Sequence, residues 1–504
     1  MNFSGVSQSN NLKQISNIFY YILLAGFIFL VLRYQIRLLD YFEWGDESET
    51  IVTAKMLASG QRLYSEVFNM HGPLVFLPGY LLEKIASFGI RGHRIVIVLL
   101  QWCALVAIYC SPIKANKWQK LIYTTIVATF ILINLPDAFG HTYIYQAIAG
   151  LILIILLAQF IIPLLAKQSI GPQKIIFYSA LTSCLPFLAI TYIPLTLCMI
   201  GCVLKIENSK KIALGIGIGV MLNLIFIVLI GSLTGYLVVH YYFNLKILPI
   251  FYKHGDIGNY LLTVITSAFE NPTQITISSV ILISSLNLIR LEKNNLWRVL
   301  IFFFGITTLL IRGAGFQGMP YIYAGLAFPT IFFKYQIPKN ILVRMLAIIV
   351  CLYCIVRLLI ILPNDKAHIR SHPIPVATDF SELTQKVTGP NDKIIAYTFQ
   401  NYQYILANRL PASGYFFYFP WQAKYDESPI LGINYDICRD IATYKPKIML
   451  IDKWTINEEW PWGKYATCIH QIIDADYYQV RGRHYYIRKD IYPKDMEIEP
   501  SQPK

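Results

Sequence analysis

Residues 44–85 read WGDESETIVTAKMLASGQRLYSEVFNMHGPLVFLPGYLLEKI and follow directly on the first apolar run of the chain. They set an acidic pair, Asp46 and Glu47, at a membrane surface. Locally the pattern predicts a short amphipathic helix with Asp46 as its N-cap, Glu49 at the third helical position and Gly60 as its stop. Pro73 then opens a second apolar segment that lies too close to the next apolar run to cross a bilayer separately, so it reads as a helix lying at the interface.

Outward from this stretch the solvent is lipid. The 504 residues are 55% hydrophobic and 14% charged, and the mean hydropathy is +0.49. A soluble domain fills its core with far less. Measured against the roughly 20 residues that a helix needs to cross a bilayer, about eleven apolar segments are expected to span. They run approximately 18–39, 93–111, 121–136, 143–165, 175–189, 190–204, 212–230, 274–289, 298–312, 318–333 and 341–362.

The formal charge of +14 would point to nucleic acid in a soluble protein. Here the cations fall in short clusters between apolar runs and set topology instead, so no nucleic-acid partner is expected. Lys114, Lys117 and Lys120, then Lys167 and Lys174, then Lys205, Lys210 and Lys211, then Arg290, Lys293 and Arg298, then Lys334, Lys339 and Arg344 all fall on one side. With the N-terminus cytoplasmic, every inner loop is positive, and this pattern outweighs Arg33 and Arg37 at the far end of the first span. The run from Ile18 continues to Leu39 without a small-residue cleavage site and reads as an uncleaved first span.

That parity places a loop at 40–92, a loop at 231–272 and everything after Leu362 on the outer side. The expected organisation is a membrane module over 1–362, an extracytoplasmic α/β domain over 363–490 and a disordered tail over 491–504. In the second unit "KIIAYTF" and "KIMLID" read as strands, "YDICRDIATY" as a helix, and "YYQVRGRHYYIRKD" as a hairpin about its Arg-Gly-Arg turn. Seven of the nine cysteines fall in or beside apolar runs, and the Cys351–Cys354 pair has no partners for a metal site. Cys438 and Cys468 read either as a disulfide in an oxidising compartment or as two unpaired structural cysteines.

An acidic pair between two interfacial helices beside a many-span bundle resembles the GT-C glycosyltransferases, in their protein O-mannosyltransferase and aminoarabinose-transferase branch. The motif there is an Asp-Glu pair, an "A..ML.sG" helix and a proline-led amphipathic helix. Its counterparts here are Asp46 and Glu47, then Ala54, Met56, Leu57, Ser59 and Gly60, then His71, Gly72 and Pro73. Where the family usually carries two prolines, this chain has Gly72 in the first place. The resemblance extends to the architecture, with an outer C-terminal α/β domain holding "DIATYKPKIMLID".

The resemblance implies a polyprenyl-phosphate-linked sugar as donor and a glycan, lipid or protein hydroxyl as acceptor. The acceptor would belong to the cell envelope (lipid A, an O-antigen or other surface glycan, or a protein), at a bacterial inner membrane. No cofactor is required by it, and a divalent cation stays an open alternative. No Rossmann or P-loop fingerprint is present for a nucleotide sugar. An acceptor hydroxyl needs a carboxylate to take its proton, and Asp46 is the candidate base, with Glu47 ranked after it. Cations would steady the leaving phosphate, and Arg62, His71, Lys246, Lys253 and Arg312 are available on the outer side. Arg312 stands out among glycines in "LLIRGAGFQGMPYIY". Asp137, His141 and Tyr64 are candidates for contacts with donor or acceptor sugar. A transporter would show internal repeats and mid-span charges, which this sequence lacks. A non-catalytic glycan-assembly protein is the other rival.

Overall fold

The computed structural model describes residues 4–204, 206–251, 257–291, 296–314, 318–335 and 373–492, with Met345, Ile349, Leu352, Tyr353 and Val356 between them. Helix α1 (Ser4–Leu38) leads to α2 (Gly45–Ala58), α3 (Phe76–Ile85), α4 (Gly89–Tyr109) and α5 (Lys117–Ile133). Next, α6 (Tyr145–Leu156) continues through a π-helical stretch, Leu157–Ile161, into α7 (Ile162–Leu165). Then come α8 (Pro172–Ser183), α9 (Ile193–Val203) and α10 (Ile206–Ile230). Later helices include Pro272–Leu291, Leu296–Thr307 and Met319–Ala327.

Five helical stretches are long and apolar enough to cross a membrane: Gln14–Leu38, Gly89–Tyr109, Tyr145–Leu165, Asn208–Ile230 and Pro272–Leu291. The expectation of about eleven full spans is therefore met only in part among the described residues. Several of the other apolar segments form helices too short for a bilayer, such as α8, which breaks at Cys184 into a 3-10 turn, and α9. The segment 341–362, with Cys351 and Cys354, lies largely outside the described residues, as does the tail beyond Tyr492.

The Tyr145–Leu165 stretch is the axis of the bundle, with 89% of its most apolar window buried, against 28% in Gln14–Leu38 and Asn208–Ile230, which turn leucines, isoleucines and phenylalanines outward. Ile18, Ile22, Phe29, Met221, Leu222 and Leu229 are all exposed. In water such a girdle would be a liability; in lipid it is the matching solvent.

The C-terminal region carries a four-stranded sheet in the order β1-β2-β6-β5, from β1 (Ile395–Tyr397), β2 (Ile448–Ile451), β5 (Tyr477–Gln479) and β6 (Tyr485–Arg488). β1 and β2 are parallel, so helices must carry the chain back between them, while β5 and β6 form a hairpin around Gly482. A separate small ribbon joins β3 (Thr455–Ile456) to β4 (Trp460–Pro461). Cys438 and Cys468 are disulfide-bonded, tying helix Ile437–Tyr444 to helix Thr467–Asp476.

Polar contacts sort the loops into two ends. At one, Ile374 N–H donates to Asp40, Phe68 N–H to Gly414, Tyr435 Oη to the Tyr64 carbonyl, and Asn457 to the Phe251 carbonyl. There the C-terminal region sits on the first loop and on the segment after α10. At the other end, Lys117 reaches Asn17, Gln119 reaches the Tyr335 carbonyl, and Arg298 reaches the Leu204 carbonyl.

Gly72 explains the departure from the two-proline motif. Its N–H donates to the Leu188 carbonyl at 3.0 Å, and a Cβ there would lie 2.1 Å from the Phe187 carbonyl oxygen. A proline would lose the bond and collide with the backbone. Gly72→Ala is expected to cost on the order of 1–3 kcal/mol through the forced backbone shift. Thermal unfolding in detergent checks this, and an unchanged midpoint would contradict the close approach.

Candidate active site

Helix α2 starts two residues earlier than the sequence reading has it. Trp44, in an extended conformation, is the N-cap, and Asp46 lies inside the first turn rather than capping it. The Glu43 carboxylate takes the N–H of Ser48 instead. The far end closes as expected: Gly60, at φ +102, donates to the Leu57 carbonyl while the next N–H, of Gln61, reaches Met56. Only glycine takes that left-handed position without strain.

Adjacent helical residues point about 100° apart, whereas positions three apart share a face. The acidic pair is therefore split. Glu47, fully buried, turns to Arg94 of α4, which donates from Nε to Oε1 at 2.8 Å and from Nη2 to Oε2 at 2.5 Å. Oε1 also accepts the Tyr143 N–H at 2.8 Å. Arg94, 1% exposed, donates as well to the carbonyls of Leu38, Leu39, Tyr41 and Phe42 at the end of α1. One ion pair thus joins the ends of α1, α2, α4 and α6. Burial, with Glu47 beside it, pushes Glu43 up to about 8, so this pocket holds one carboxylate against one guanidinium at neutral pH.

Asp46 and Glu49 share the other face. Burial first and Glu49 second raise Asp46 to about 6, against the lowering influence of His71, Arg312 and the Trp44 indole. Glu49 Oε1 is 3.3 Å from His71 Nδ1, with both side chains largely buried. The His71 ring packs on Tyr145 at 4.7 Å, and the Tyr145 hydroxyl accepts from Arg312 at 3.3 Å. Tyr145, Thr191, Tyr192, Thr308 and Arg312 line a small cleft at this end of the bundle. Three residues expected from the sequence, Asp46, His71 and Arg312, therefore come together from elements 25 to 266 positions apart in the chain.

The surrounding loop fixes His71. Its N–H donates to Asn69, its carbonyl accepts the Tyr64 hydroxyl at 2.7 Å, and the preceding Met70 carbonyl accepts from Asn244 at 2.9 Å. Asn244 sits in a π-helix, Tyr236–Ile247.

The remaining candidates lie elsewhere. Tyr64 is buried and committed to that carbonyl, which makes it a support of the loop. Arg62 caps the end of α10 by donating to the Gly231 carbonyl. His141 is buried against the Phe42 carbonyl, and burial together with Arg94 holds it well below the usual imidazole range, hence neutral. Asp137 is exposed in the 3-10 turn Pro136–Ala138, and Lys246 is exposed on the π-helix. Lys253 lies outside the described residues. Among the described residues no group of three or more His, Cys, Asp or Glu could hold a metal ion.

Glu49, Tyr145, Tyr192 and Arg94 are the residues the sequence reading does not assign to the site. The Asp46–Glu49 spacing of three was the available signal for the first; Tyr145 and Arg94 carry none, since their neighbours are distant in the chain.

No family model and no curated protein matches the chain. Among solved structures it is similar to the archaeal oligosaccharyltransferase AglB from Archaeoglobus fulgidus, solved in complex with an inhibitory peptide and a dolichol-phosphate. The identity is 10% and the TM-score 0.44, over 95% of this chain and 76% of that one. A likeness of that depth assigns neither family nor activity.

Proposed function

We propose that this chain is an inverting glycosyltransferase that moves a sugar from a polyprenyl phosphate to a cell-envelope acceptor at the outer face of a membrane. The observation that carries it is the cluster beside the cleft: a carboxyl raised toward neutrality, Asp46, next to a second acid and under the influence of His71 and Arg312. The first-loop motif quoted above supports the same reading. The Cys438–Cys468 bond supports an oxidising compartment for the C-terminal region, and the lysine-rich opposite end supports a cytoplasmic one.

In this mechanism the acceptor oxygen attacks the anomeric carbon as Asp46 takes its proton. The bond to the lipid phosphate breaks on the opposite face, and Arg312, held by the Tyr145 hydroxyl, meets the charge that develops there. Glu49 keeps Asp46 basic enough to accept a proton, and its His71 partner stops the acids from repelling each other unchecked. Glu47 acts through Arg94 as a positioning residue that sets the rotation of α2.

The test is reconstitution with defined polyprenyl phosphate sugars, reading lipid-phosphate release, product anomer and pH dependence together. A base must be ionised, so turnover is expected to rise with pH through about 6, where Asp46 loses its proton, and to level off above. Glu49→Gln removes a neighbouring negative charge and should move that limb to lower pH. Retained anomeric configuration, or a limb that ignores Glu49, would contradict a single displacement with Asp46 as base.

A further inference from the structure

The π-helix Tyr236–Ile247 runs for twelve residues, whereas most π-helical segments are a single turn and many of those mark functional sites. It meets the loop that carries His71. The Asn244 amide donates to the Met70 carbonyl at 2.9 Å, and the two ring nitrogens of His240 lie 3.2 Å from that carbonyl and 3.3 Å from the Pro186 carbonyl. His240 is fully buried and Asn244 half-buried. We propose that His240 and Asn244 are positioning residues, which act through the Met70 and Pro186 carbonyls to hold His71 beside the Asp46–Glu49 pair. The catalytic consequence rests on the glycosyltransferase reading; the arrangement of the side chains does not.

The hydrogens on the π-helix match the carbonyls. A neutral imidazole carries one N–H. Burial, with His71 nearby, takes His240 down to about 4 in spite of the two carbonyls, so the ring is neutral near pH 7. It donates to one carbonyl at a time, and the Asn244 amide keeps the Met70 carbonyl served when the ring hydrogen points to Pro186. Two donors on one helix thus tie together two separate elements, the first-loop segment and the 3-10 turn Leu185–Phe187. The ring is itself fixed. It stacks on Tyr236 at 5.1 Å and 12°, Tyr236 stacks in turn on Phe187 at 6.0 Å, and Tyr241 packs edge-on against the imidazole at 5.2 Å.

His71 is anchored on both sides along the chain. The carbonyl before it is held by the π-helix, its own carbonyl by the Tyr64 hydroxyl, and the N–H after it, of Gly72, by the Leu188 carbonyl. Between these anchors its ring stands 3.3 Å from Glu49 and packs on Tyr145. Releasing Met70 lets the ring drift from that place. Its lowering influence on Asp46 then weakens and the Glu49 charge is less compensated, and both changes push Asp46 further up. Arg312 and the Trp44 indole, which also lower Asp46, belong to other elements.

The experiment titrates the Asp46 carboxyl of the purified full chain by infrared difference spectroscopy, with its band identified by loss in Asp46→Asn, and follows turnover of polyprenyl phosphate sugars in parallel. Asn244→Leu and His240→Phe, the second of which keeps an aromatic ring against Tyr236, are each expected to move that titration up by about half a pH unit, a fraction of the roughly 1–3 units that an adjacent opposite charge is worth. The limb of the pH–rate profile should move with it, opposite in sign to Glu49→Gln, and plateau turnover should fall about tenfold. His240→Asn, whose amide reaches where Nδ1 does, should restore most of both. Leu245→Ala, at an exposed position of the same π-helix, should change neither. Unfolding midpoints in detergent separate these effects from loss of fold, and the half-buried Asn244 decides the matter where His240→Phe does not fold. An Asp46 titration unmoved in folded Asn244→Leu would overturn the positioning role. Wild-type protein inactive with every donor would overturn the glycosyltransferase reading alone, because the carboxyl titration needs no substrate.

Discussion

Asp46→Asn is expected to lower sugar transfer by about 10²–10⁴-fold while leaving the protein folded, because the amide keeps the shape but cannot take a proton. The sign of the stability change separates this from a structural role. Asp46 titrates near 6 in the fold against 3.8 for an ordinary aspartate, so the folded state binds the extra proton between those values. Ionising it above pH 6 therefore costs stability, and that contribution is lost as pH rises through the folded value. The neutral asparagine should be at least as stable as the wild type at pH 7.5. Turnover within a few-fold of the wild type would remove Asp46 as the base. Loss of turnover with a lowered unfolding midpoint would instead mean that the substitution damages the fold.

Arg94→Leu is expected to cost roughly 3–5 kcal/mol, the penalty for leaving a buried carboxylate without its partner. It also strips the donor from four carbonyls at the end of α1. Activity should vanish with the fold, although Arg94 faces away from the cleft. The double variant Glu47→Leu/Arg94→Leu should recover part of the unfolding midpoint, since no uncompensated charge then remains buried. A single variant as stable as the wild type would show that the pair does not organise this end of the bundle.

These two outcomes mark what was legible in the sequence. The acidic pair next to an apolar run pointed to the candidate site, and His71 and Arg312 were readable as cations expected on the same side. Which acid turns toward His71 and Arg312 was not readable, because Glu47 is held by Arg94, 47 positions away. Asp46 could not be told from a cap by residue type, since aspartate suits both places. In the C-terminal region strands β1 and β2 and the last hairpin were visible as alternating or continuous apolar runs, whereas the β3–β4 ribbon, two residues per strand, carries no period to detect. The count of spans is met only in part among the described residues: the two short apolar segments 175–189 and 190–204 contain Pro186 and Pro194, and the helices there are shorter still.

The bond from Tyr435 to the Tyr64 carbonyl, and from the Tyr64 hydroxyl to the carbonyl of His71, has a consequence for how such proteins can be recombined. The C-terminal region is not a cartridge that can be swapped at a linker. Its underside is cut to fit residues 62–72, where Gly414 admits the Glu66 carbonyl at a distance no side chain would allow. A chimera that imports a foreign C-terminal region alone inherits a mismatched seat directly beneath His71. Grafts that carry residues 62–72 along with it keep the seat intact, and the two segments would be expected to change together.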